Sequence, residues 1–203
     1  AEVRSDSVLM IEHNERLQPG QLKTIRQLVQ SASPQSDIHC FPINVVSADG
    51  SLLESTYEPR LWYTSTDAKF VGRIYERLET PPGQRFKYHD DLAITQDFEQ
   101  LTDEQDELIG QRNIDLLEMQ YLETPADCHT RYCVGWTYMM RGEFERGLDF
   151  FIPLIDDFKG SDFARSAMVF SVECLRKMGR PEDAFQRGLE WVQDCSDYGE
   201  LWF

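Results

Sequence analysis

A chain of 203 residues, 41% hydrophobic and 12% aromatic, carries enough apolar surface for one large or two small cores, which excludes a disordered segment. Its 36 Asp and Glu against 20 Lys and Arg leave a net charge of −16, and so acidic a surface repels nucleic-acid phosphates and anionic lipid. No apolar run approaches the roughly 20 residues of a membrane helix and no basic-then-apolar leader opens the sequence, so a cytoplasmic protein is expected.

The first element is an apolar run, Val8-Leu9-Met10-Ile11, that breaks into Glu12-His13-Asn14-Glu15. A buried strand ending in such side chains carries chemistry to a sheet edge; the plainer alternative is a short core strand followed by the solvated start of a helix. After Pro19-Gly20, the spacing of Leu22, Ile25, Leu28 and Val29 predicts an amphipathic helix over 21–31. A second strand is predicted over 38–46, stopped by the turn signal Ala48-Asp49-Gly50. Short strands follow at 60–63 and 69–74, and Pro81-Pro82-Gly83 breaks the chain before Phe86-Lys87-Tyr88-His89.

Asp97, Glu99, Asp103, Glu104, Asp106 and Glu107 have no Lys or Arg among them, the pattern of a solvated helix start. From about Thr102 the period becomes helical through Leu108, Ile109, Ile114, Leu116, Leu117 and Met119, which places a boundary between a mixed α/β region (1–98) and an all-helical one (99–203). Within the helical half, 134–148 and 167–184 share a helix–Gly–helix plan. The turn glycines are Gly142 and Gly179, and a small residue, Gly147 or Ala184, follows five positions later. The spacing of 37 residues (179 − 142) is near that of tetratricopeptide hairpins, the helix over 103–121 would cap the stack, and Pro153 should kink one helix.

The five cysteines, Cys40, Cys128, Cys133, Cys174 and Cys195, are odd in number and scattered, as reduced core thiols are. Cys128, His129 and Cys133 come close in sequence, and His129 and Cys133 would share a helix face, but no fourth ligand stands at zinc spacing, so packing is their expected role. Trp62, Trp136, Trp191 and Trp202 read as core or hairpin packing.

Taken in order, these segments resemble the later part of family 2 glycosyltransferases of the GT-A type that carry tetratricopeptide repeats after the catalytic domain. Residues 8–17 look like the family's Asp-x-Asp strand, with Glu12 and Asn14 where the aspartates stand and Glu15 after them. Arg60-Leu61-Trp62 resembles its Arg-Leu-aromatic segment, and Gly72-Arg73-Ile74-Tyr75-Glu76 its Gly-x-x-His-Glu strand. His89 matches a histidine beyond it, and Arg112-Asn113 with Leu116-Leu117 match the helix leading into the repeats.

The resemblance implies a partial GT-A-like α/β region followed by a tetratricopeptide-like hairpin stack, in all an α+β chain. It implies sugar transfer from a nucleotide-sugar to a glycan or protein acceptor, with Mn²⁺ or Mg²⁺ weakly held by Glu12, Asn14 and Glu15 and neutralising the diphosphate leaving group. Glu76 would be the base that takes the acceptor's proton. The chain then reads as the acceptor-side half of such an enzyme, either a piece of a longer one or a shortened relative. A competing reading is a non-catalytic module that binds a protein or peptide on a helical face lined by Tyr138 and Arg131. A metal-dependent hydrolase using Glu12, His13 and Glu15 is a third. An enzyme should gather Glu12, Asn14, Glu15 and Glu76 around one cleft.

Overall fold

The computed structural model describes residues 6–31, 37–98 and 100–194; the readings that involve Glu99, Cys195 and Trp202 lie outside them. The chain divides into two compact units, Ala1–Val71 with Glu76–Gln100, and Gly72–Tyr75 with Leu101–Phe203. The class is mixed α/β, as expected.

The first unit is built around β3 (Asp37–Val46), the predicted second strand, whose first seven residues are all buried. A near-continuous buried run is the mark of a central strand. In chain order the unit holds β1 (Ser7–Leu9), β2 (Glu15–Leu17), α1 (Gln21–Ser31), β3, β4 (Leu52–Tyr63), β5 (Lys69–Val71), β6 (Arg77–Glu79), β7 (Arg85–Tyr88) and β8 (Ile94–Asp97). The main sheet runs β1-β4-β3-β8-β2, and β5 pairs with β6 in a separate two-stranded sheet.

Along one edge β3 is antiparallel to β4, and along the other it is parallel first to β7 at 37–40 and then to β8 at 43–46. Pro42, which has no N–H to offer a ladder, falls in the interval between the two short partners. Phe41, Ile43, Leu61, Leu92 and Ile94 form the core with Ile25 of α1, and Leu28 and Val29 of the same helix pack against it. Each fully buried large apolar side chain of this kind stabilises the fold by about 1.5–3 kcal/mol.

Two strand expectations are corrected. Of the apolar run at 8–11 only Val8 and Leu9 are in a strand, the three-residue β1, which is half-buried throughout, and Ile11 is exposed. The run leads neither to a helix nor to a buried edge but into a turn, closed by Glu15 N–H on the Glu12 carbonyl (3.2 Å), from which β2 departs. Residues 69–74 are not one strand either: β5 stops at Val71 because Gly72 (φ 118°) and Tyr75 (φ 49°) turn the chain away, and Gly72–Tyr75 belongs to the second unit.

The second unit contains α2 (Asp103–Glu123), α3 (Cys128–Met140), α4 (Phe144–Asp157), α5 (Asp162–Lys177) and α6 (Pro181–Asp194). Thr102 caps α2 in a reciprocal box with Gln105, and Asp103, Glu104 and Asp106 sit at the positive end of its dipole. Asp127 and Ser161 cap α3 and α5, and Pro181 opens α6, where a missing N–H costs nothing. α5 begins 34 residues after α3 (162 − 128).

Both hairpin turns close in the same way. Gly142 (φ 77°) donates to Met139 O while Glu143 N–H reaches back to Tyr138 O, and Gly179 (φ 72°) with Arg180 repeats the pattern on Arg176 and Leu175. This is the left-handed cap that glycine allows. Gly147 is small because its helix meets α3 closely: a Cβ there would lie 3.2 Å from Gly135 O. α4 continues as one helix through Pro153. Phe151, Leu154, Ala164, Ala167, Met168 and Trp191 anchor the core of the four hairpin helices.

Candidate functional site

A cleft of about 430 Å³ in the first unit is lined by Met10, Glu12, Glu58, Arg60, Phe70 and Glu76. The turn after β1 supplies Met10 and Glu12, β5 supplies Phe70, and Glu76 stands just before β6. Glu58 and Arg60 are two apart on β4, so strand alternation turns both to the same side. Phe70 meets Trp62 edge-on, with ring centroids 5.6 Å apart.

Arg60 organises the polar side of the cleft. Its side chain is 3% exposed, and one terminal nitrogen, Nη2, lies 2.6 Å from Glu15, 3.0 Å from Glu58 and 3.6 Å from Glu12. Its other terminal nitrogen, Nη1, is 3.6 Å from Met10 Sδ. Glu15 is wholly buried; one of its carboxylate oxygens takes the guanidinium and the other accepts the Glu12 N–H at 2.9 Å. Glu12 and Glu58 remain about half exposed at the rim. Partial burial pushes the Glu58 carboxyl above the usual range; Arg60 opposes that, while Glu12, Glu15 and Glu54 reinforce it.

Of the four residues singled out from the sequence, Glu12 and Glu76 line the cleft together. Glu15 belongs to the same cluster but lies buried as the counter-ion of Arg60. Asn14 does not line the cleft; its side-chain oxygen accepts from Gln96 of β8 at 3.5 Å. The trio Glu12, Asn14 and Glu15 therefore does not fit a divalent cation. Both Glu15 oxygens are engaged, and among the described residues no three His, Cys, Asp or Glu are grouped to hold a metal. The hydrolase reading meets the same obstacle at Glu15.

Sequence reasoning missed Glu58, whose signal was the Glu-x-Arg alternation ahead of the Arg-Leu-aromatic segment. It also missed the partner of His89. His39 on β3 is completely buried, and its Nδ1 lies 2.9 Å from His89 Nε2. Burial first, then His89 and Lys87, bring His39 down to about 4 against the pull of Asp37, so the ring is neutral at pH 7. His89 is also lowered, mainly by burial. Asp37, buried beside them, is bound by Arg85 at 2.9 Å and Lys87 at 2.5 Å; burial raises its carboxyl, and these two cations outweigh it and hold it below the usual range.

Tyr138 and Arg131 do not line an open helical face. Tyr138 is fully buried with its hydroxyl on Glu118, and Arg131 is paired with Asp157 at 2.5 Å. His129 and Cys133 lie 3.6 Å apart on α3, and the His129 ring packs on Phe163. Among the described residues no helix is long and apolar enough to cross a membrane. No family model matches the chain, and no curated protein matches it.

Proposed function

We propose that the chain carries the acceptor-side half of a nucleotide-sugar-dependent glycosyltransferase, joined to helical hairpins that engage a protein or peptide. The observation that supports this reading best is that Glu12 and Glu76, distant in sequence, line one cleft with Arg60, the gathering that the resemblance implies for these two carboxylates. Glu76 is exposed at that cleft. As the acceptor oxygen bonds to the anomeric carbon and the bond to the nucleotide diphosphate breaks, the Glu76 carboxylate takes the acceptor hydroxyl's proton. Glu15 holds Arg60 in place rather than serving a cation, and Phe70 offers an aromatic face to a sugar ring. The acidic surface and the thiols of Cys40, Cys128, Cys133 and Cys174, none of them in a disulfide, suit a cytoplasmic setting.

The test is hydrolysis and transfer from a panel of nucleotide-sugars, with calorimetry of nucleotide diphosphates alone and with Mn²⁺. Glu76→Gln should lower turnover about 100-fold or more without moving the melting temperature, the usual contribution of a general base. A wild-type chain that neither turns over nor binds any of these donors would overturn the reading.

A further inference from the structure

The helical unit holds an extended piece of its own chain. Gly72–Tyr75 leaves the β5 strand and lies against α2 and α3. The Arg73 main-chain N–H donates to the side-chain oxygen of Gln120, and the Arg73 guanidinium forks onto the Glu123 carboxylate, with Nε at 3.1 Å. Ile74 and Tyr75 pack on Ile114, Leu117, Cys133 and Val134. The Tyr75 hydroxyl accepts from Asn113 at 3.4 Å, and its ring meets Trp136 edge-on.

The acceptor for the segment's backbone is oriented by a chain of donors within the helices. Gln120 is buried; its Nε2 donates to the Thr130 hydroxyl at 2.7 Å, and that hydroxyl donates to Asp127 at 2.6 Å. The chain of donors leaves the Gln120 oxygen as the only end of the amide that can face the groove. Tyr75 is held at φ 49°, which is unfavourable for a tyrosine, so its anchoring contacts over-determine its position.

Beside Tyr75 the same face continues into a cleft of about 410 Å³, with Ile109, Trp136 and Met140 on its apolar side and Asp106, Glu107 and Arg141 on its polar side, Arg141 paired with Glu107 at 2.8 Å. A main-chain acceptor, a carboxylate for a guanidinium and an aromatic seat are the parts of a receptor for an extended segment that carries an arginine.

We propose that the α2–α3 face is a docking site for an extended segment of a partner protein with arginine, a branched apolar residue and an aromatic in succession, and that residues 72–75 occupy it in cis. The tethered segment acts as a competitor at an effective concentration on the order of mM, so a partner gains access when the segment is released. This site does not depend on the transferase reading.

The test uses the full chain and a fluorescein-labelled peptide with the sequence of residues 71–77, followed by anisotropy. Arg73→Ala with Tyr75→Ala should bind the peptide at least tenfold more tightly than wild type. Glu123→Lys added to that pair, or an Arg-to-Glu change in the peptide, should remove the gain, and added salt should reduce it. If the double variant does not fold, Arg73→Ala alone carries the test, because it keeps the Ile74 and Tyr75 contacts, and a gain of at least threefold is required. Equal binding to wild type and a folded variant, or equal binding of the Arg-to-Glu peptide, would overturn the proposal.

Discussion

The two units bury polar groups in opposite ways. The sheet unit encloses charge: Asp37, Glu15 and Arg60 are all within 9% exposed, and His39 is fully buried as well. The helical unit encloses neutral groups that are satisfied within a turn or by one neighbour. Thr137 donates to Cys133 O, Ser171 to Ala167 O, and Gln120 to Thr130. A helix provides a carbonyl four residues back for any hydroxyl, so such burial is cheap and local. A buried ion is stable only while its partner, 45 residues away for Glu15 and Arg60, holds station. The sheet unit therefore depends on ion pairs between distant segments, and the helical unit on hydrogen bonds close at hand.

Three measurements test that contrast. The largest effect is expected for Arg60→Met, which strands Glu15 without a cation in a dry site and should lower stability by about 3–5 kcal/mol in denaturant titration. Adding Glu15→Gln or an apolar replacement should recover part of the loss. A cost below about 1 kcal/mol for Arg60→Met would mean that water reaches the pair, and the contrast with the helical unit would collapse.

Next is pH. Because the His39 pKa is lowered in the fold, from 6.5 to about 4, the unfolded chain binds the extra proton first. Stability from this residue is therefore present above about 6.5 and lost as pH falls toward about 4, a span worth no more than about 3 kcal/mol. Asp37, lowered as well, adds stability that is lost further down, as pH falls below the ordinary carboxylate range. Melting from pH 7 to 4.5 should show the decline in wild type and a flatter profile in His39→Gln; parallel profiles would remove His39 as its source.

The smallest effect belongs to the helical unit. Gly179→Val should destabilise by about 1 kcal/mol or somewhat more, since a β-branched residue is strained at φ 72° while no neighbour lies within 4 Å to clash. An unchanged melting temperature would show that the turn does not depend on glycine.

Much of the helical half was legible from sequence because its determinants are local. The apolar period and the two glycine turns act within a few residues of where they stand. The same holds for α1, whose bounds match the predicted 21–31, and for β3, whose predicted 38–46 begins one residue late. Pro153, where a kink is expected, lies inside a helix that continues from Phe144 to Asp157.

The candidate site was half legible. Glu12 and Glu76 were found from the order of segments, but no local pattern announces that Glu15 turns inward to Arg60, that Asn14 faces β8, or that Glu58 joins the cleft. Nor does any pattern join His39 to His89 across 50 residues, or send Gly72–Tyr75 out of its strand to the face of α2. The sequence by itself determined the helices, their caps and turns, and the central strand, because hydrogen bonds between near neighbours and side-chain periodicity decide those. The tertiary structure alone decided which carboxylate is a counter-ion, which stays open to a cleft, and which short segment becomes a ligand, because those outcomes depend on desolvation and on partners brought together only when the chain closes on itself.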